Sequence, residues 1–220
     1  MVSFREFIAP HKTIPITPWR AEHRWQLSPI RTLILFTGLA IFGLGDSLLV
    51  QGDVGNAPWT VFAQGISVKT SWPLGLSTAI ISVLVLLLWI PLKEKPGFGT
   101  LANIVLIATF IQIGVEIFPK QDRIITGVLF DLIGIAMVGV GSALYITCGL
   151  GPGPRDGTMT GIHHRTGIPV GRVRLVIEVI VLILGWLLGG VVGIGTILFA
   201  LLIGESIAIS LGILARLTSR

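Results

Sequence analysis

Shifted by 96 residues, the sequence overlays itself without a gap. Gly43 and Gly45 fall on Gly139 and Gly141, Gly55 and Pro58 on Gly151 and Pro154, and Gly65-Ile66 on Gly161-Ile162. Lys69-Thr70 falls on Arg165-Thr166, Pro73 and Gly75 on Pro169 and Gly171, and GFGT (97–100) on GIGT (193–196). Leucines and valines coincide cheaply in any apolar sequence. Glycines and prolines do not, because each marks a backbone requirement. The chain therefore reads as a tail (1–28) followed by two copies of one unit, 29–124 and 125–220.

Composition says what solvent the copies face. Of 220 residues, 52% are hydrophobic and only 12% charged, with mean hydropathy +0.89. A soluble domain carries about a quarter charged residues, so most of this surface must meet lipid. Six apolar runs, at roughly 30–51, 74–92, 100–118, 124–147, 171–189 and 195–215, each approach the ~20 residues a spanning helix needs. Trp72 and Trp89 bracket the second run at the spacing of two interfacial belts. Three crossings per copy is an odd number, so the second copy enters the bilayer from the opposite side. The expected fold is an all-α polytopic membrane protein of six transmembrane helices, a 3+3 inverted repeat.

Basic residues orient it. With the N-terminus inside, thirteen of the sixteen Lys and Arg lie on cytosolic segments and only Lys69, Lys120 and Arg123 outside. Both termini are expected in the cytoplasm. The net charge of +5 is thus a topology signal rather than a sign of nucleic-acid binding. The basic tail, with Arg5, Lys12, Arg20 and Arg24, has two open readings: a segment resting on anionic lipid through Phe4, Phe7, Ile8 and Trp25, or a disordered arm. Cys148 is the sole cysteine, so no internal disulfide forms.

Between the first and second span of each copy stands a short Gly/Pro-initiated helix, about 57–69 and 153–165. Proline suits a first helical turn, where its missing N–H costs nothing. Each is either a re-entrant half-helix aiming its positive end at a shared cavity or an amphipathic helix lying at the interface. On the first reading Gly55, Pro58, Trp59, Gly151, Gly153, Pro154, Arg155, Asp156 and Gly157 line a substrate site. Arg155 would then hold an anionic group with Asp156 fixing its geometry; otherwise Arg155 is an inside-positive residue and Asp156 a first-turn carboxylate.

Charges inside spans are costly, ~2.5–3.5 kcal/mol at mid-bilayer even on insertion scales. Glu205, mid-way along the last run, is a candidate for proton or substrate binding, or a carboxyl hydrogen-bonded to a neighbouring helix. Asp46 is expected near an outer vestibule. Arg174 and Glu178 are four apart and expected to form a structural ion pair. His163-His164 lacks the spacing of a metal site, and neither metal nor cofactor is expected. No nucleophile–base or nucleotide motif is present, so an enzyme is the class with least support.

GLGPGPRDGTMTGI (149–162) and TGIPVGRVRLVIEVIVLILGWLLGGVVGIGTILFALLIG (166–204) resemble the second half of the YczE/YyaS/YitT group of bacterial integral membrane proteins, nearest the YczE branch. The likeness runs from about residue 30 onward. It implies signature positions at Gly151, Pro154, Arg155, Asp156, Gly157, Arg174, Glu178, Gly189, Gly190, Gly193, Gly195 and Thr196, and it implies class and topology rather than an activity. At IGESIAIS the chain departs from relatives that carry proline after the glycine, making Glu205 a subgroup feature. The expected function is a small secondary transporter or channel-like permease for a small polar or anionic solute, with proton coupling and a homodimer both open. The alternative is an accessory protein that organises a membrane complex through its glycine-rich faces.

Overall fold

The computed structural model describes residues 10, 11 and 13–218, and among these every regular element is a helix. In chain order they are α1 (Pro29–Gly52), α2 (Pro58–Thr70), α3 (Leu74–Leu87), α4 (Trp89–Leu92), α5 (Phe98–Ile117), α6 (Ile124–Thr147), α7 (Pro154–Thr166), α8 (Val170–Leu187) and α9 (Ile194–Thr218). Among the described residues, five segments are long and apolar enough to cross a membrane: α1, α3 together with α4, α5, α6 and α9. The sixth expected run, α8, has 18 residues but carries Arg172, Arg174 and Glu178 in its first half.

Local chemistry sets the ends. Ser28 caps α1, its hydroxyl accepting from Arg31 N–H at 3.3 Å, with Pro29 at the first turn. The short helices α2 and α7 start at Pro58 and Pro154, where proline was expected to start them, and end at Ser71 and Gly167 with left-handed backbones. Each buries most of its N-terminal half, α7 leaving Arg155 half-buried and Asp156 exposed, and each exposes its last turn.

Small residues let the long helices cross closely. α1 and α6 form the central pair, with α5 packed on α1 and α9 on α6. Contacts recur in pairs under the 96-residue offset. Gly38 lies against Gly141 and Gly134 against Gly45; Gly43 lies against Phe110 and Gly139 against Ser206. Gly195 N–H donates to Val54 O at 2.9 Å, and Gly99 N–H donates to Leu150 O at 2.9 Å. The short helices cross over: α2 lies along α8, and α7 lies against α3 and α4.

Two expectations are corrected here. Trp89 is no interfacial belt residue: it is 2% exposed, stacked on Gly157, and its indole N–H reaches Pro154 O and Thr158 Oγ1, both at 3.0 Å. Nor is the described part of the tail a disordered arm. Arg31, 8% exposed, donates to the carbonyls of Trp19, Arg20 and Gln26, folding residues 19–26 onto the start of α1. Thr17 and Trp19 bond to Thr147, and Ala21 N–H donates to Cys148 O at 2.9 Å. Phe4, Phe7, Ile8, Arg5 and Lys12 lie outside the described residues. Hydrogen bonds to a charged donor contribute about 1.5–3 kcal/mol each, so Arg31→Ala is expected to free the tail. Limited proteolysis would report it as cleavage after Arg20 and Arg24 at a rate at least ~10-fold above the wild type.

Candidate functional site

A cavity of about 360 Å³ lies where the first turns of α2 and α7 meet between α1, α3, α5, α6, α8 and α9. Its walls are largely apolar, from Phe42, Ile104, Ile107, Val138, Phe199 and Ile203. Equivalent positions of the two copies face the same space: Phe42 and Val138, Trp59 and Arg155, Thr78 and Arg174, Ser82 and Glu178, Asn103 and Phe199, Ile107 and Ile203.

The polar groups are few and unequally satisfied. The Arg155 guanidinium stands over the Trp59 ring, 5.1 Å from its centroid, a cation–π geometry. No carboxylate among the described residues comes within 4.0 Å of it, although Asp46, Asp156 and Glu178 all act on it electrostatically. Those carboxylates have other partners. Thr60 Oγ1 donates to Asp46 at 2.8 Å, Tyr145 O–H to Asp156 at 3.0 Å, and Arg174 Nε to Glu178 at 2.8 Å. The Trp59 indole N–H and the Thr78 hydroxyl, 8% and 2% exposed, have no hydrogen-bond partner. An unmet buried donor is costly. The site thus offers unpaired donors and the positive ends of two helices to a group bearing acceptor oxygens.

Of the positions picked out in the sequence, Trp59, Pro58, Gly153, Arg155 and Asp156 line the cavity, and the Arg174–Glu178 pair forms on its α8 wall. Asp46 is buried at 2% exposure beneath α2 rather than beside an outer vestibule. Gly55 and Gly151 build the approach: both have positive φ (128° and 111°), and each lies against the opposite copy, Gly55 on Gly193 and Thr196, Gly151 on Gly97 and Thr100. Pro154 and Gly157 hold α7 against Trp89. Glu205 stands apart, exposed on the outer face of α9. His163 and His164 contact different partners, Ile168 O and Glu94, and no three metal-ligating side chains cluster among the described residues.

Sequence reasoning missed Thr78, Ser82, Asn103 and Tyr145. The overlay held the signal for two of them, since Thr78 and Ser82 stand opposite Arg174 and Glu178.

A model of a family of unknown function, DUF6198, matches residues 29–211. An uncharacterised protein of Haemophilus influenzae is 45% identical over 206 residues, covering 94% of both chains. The uncharacterised membrane protein YczE of Bacillus subtilis is 33% identical over 83% of this chain and 86% of its own length. YyaS of the same organism is 27% identical over 81% of this chain and 91% of its own. No solved structure matches. With its apolar helices, the chain is a membrane protein.

Proposed function

We propose that this membrane protein, which belongs to the DUF6198 family of unknown function, is a secondary transporter for a small anionic solute. Its two copies are inverted three-span units that alternate access to the cavity around Arg155. α8 serves as the sixth span: 18 residues cover ~27 Å, and its charges lie at the cytosolic end and cavity side. The paired contacts under the offset support a pseudo-two-fold axis, because each maps copy one onto copy two and copy two back onto copy one. Thr60, on α2, meets Asp46, six residues or ~9 Å before the end of α1, which supports reading α2 as a re-entrant half-helix.

One observation carries the transport reading. In copy one, α3 closes on α5, with Gly75 against Ala108 and Gln112. The equivalent Gly171 of α8 and Gly204 of α9 each have open space where a side chain would stand, and those two helices lie apart. Equivalent pairs are closed on one side of the cavity and open on the other. Two copies of one unit in different states is the arrangement that exchange of states converts into alternating access. With the termini inside, the open side is cytosolic, and Ile14 of the tail stands at the cavity there.

Arg155 is the anion-binding group, helped by the Trp59 N–H and Thr78 hydroxyl. Proteoliposome counterflow across a panel of small carboxylates and inorganic anions tests this. Exchange of at least one anion is expected. A panel with no flux, together with a stoichiometric cross-linked partner in membranes, would instead make the protein an accessory subunit.

A further inference from the structure

Asp131 lies seven residues into α6, about 10 Å from that helix's start, and is 0% exposed. Neither carboxylate oxygen has a hydrogen-bond partner. It does not line the Arg155 cavity, and packing does not require it. The equivalent residue in copy one is Leu35, also 0% exposed, so an apolar side chain fills that place there.

A backbone carbonyl stands close to each carboxylate oxygen. Oδ1 lies over Gly52, at the C-terminal end of α1, where a side-chain carbon would stand 2.6 Å from it and 2.9 Å from Gly127 O. Oδ2 lies over Gly195, where a side-chain carbon would also meet Gly55 O at 2.5 Å. The Gly52 and Gly55 carbonyls accept no hydrogen bond from the described residues, and the nearby Gly195 N–H is committed to Val54 O. Carbonyls crowded round a carboxylate repel it unless a cation sits between them. A proton would relieve one oxygen pair only. One carboxylate neutralises one positive charge, so a divalent ion would leave an excess charge in the buried interior.

We propose that Asp131, with the Gly55 carbonyl beside Oδ2, forms a binding site for a sodium ion. Hard oxygen ligands from an irregular backbone and one acid suit such an ion. Entry is from the recess just above, lined by Gly52, Asp53, Val54 and Lys120, where Lys120 and Asp53 pair at 2.9 Å. This site stands independently of the transport reading, since sodium binding is measurable without any flux.

The test uses the full chain purified in detergent, in sodium, potassium or choline chloride at equal ionic strength. Saturating sodium is expected to raise the wild-type unfolding midpoint by about 5 °C, with potassium and choline inert. Asp131→Asn is expected to lose that shift while melting in choline no lower than the wild type. Gly195→Ala, which fills the space at Oδ2, is expected to lose it too. Direct binding of radioactive sodium to the wild type should approach one ion per chain, which keeps the test decisive if a variant fails to fold. A wild type indifferent to sodium, an equal shift in Asp131→Asn, or a midpoint that follows pH alone would overturn the proposal.

Discussion

Cysteines at Gly171 and Gly204, in a Cys148→Ser background, are expected to cross-link under oxidation and to stop uptake by at least ~10-fold, with reductant restoring it. Both positions face open space in this structure. Their equivalents, Gly75 and Ala108, are in contact. If the copies exchange states, α8 must close on α9 as α3 closes on α5, bringing the two Cβ atoms toward the ~3.5–4.5 Å a disulfide needs. Cysteines at Gly75 and Ala108 give the complementary lock, with α3 shifted outward to make room, since a side-chain carbon at 75 would stand 2.5 Å from Ala108 O. Ligand makes the test sharper: a saturating solute that favours one state should raise one cross-link and lower the other. Absence of any Gly171–Gly204 product under turnover would mean that the gap between α8 and α9 does not close.

Arg155→Ala is expected to lower solute affinity about 100-fold, corresponding to the ~2–3 kcal/mol of a buried charge-assisted contact. The planar guanidinium spans the Trp59 face and presents several donors, whereas an ammonium is a compact point charge. Arg155→Lys should therefore recover only part of the affinity. Isothermal titration with the anion found by counterflow checks both variants. Trp59→Phe keeps the ring under Arg155 but deletes the unmet N–H, so a smaller loss of about 10-fold is expected. Wild-type affinity in Arg155→Ala would remove the cavity's cation from the binding site.

Much of the architecture was legible because it is written in backbone requirements. Pro58 and Pro154 start the short helices where the missing N–H is free of cost, and the matching glycines at 45/141, 55/151, 65/161 and 97/193 fall where the two copies touch. Which face a side chain presents was less legible. Spans are apolar all round, since lipid and the protein interior are alike to a leucine, so periodicity does not say which way a mid-span residue points. Glu205 turned out exposed on α9 and Asp131 fully buried on α6, although each is a lone carboxylate in an apolar run. Trp89 went inward for a reason remote in sequence: Gly157 leaves the room its ring occupies. Arg174 and Glu178 were placed as a pair by their spacing alone, yet that they line a cavity depends on α9 standing away from α8.

The most direct measurement is the sidedness of Lys69 and Arg165, equivalent and exposed residues in the last turns of α2 and α7. Single cysteines there, in the Cys148→Ser background, can be labelled with a membrane-impermeant maleimide in intact cells and in inverted vesicles. Inverted copies require position 69 to react only in cells and position 165 only in vesicles. Reaction of both from one side would contradict them.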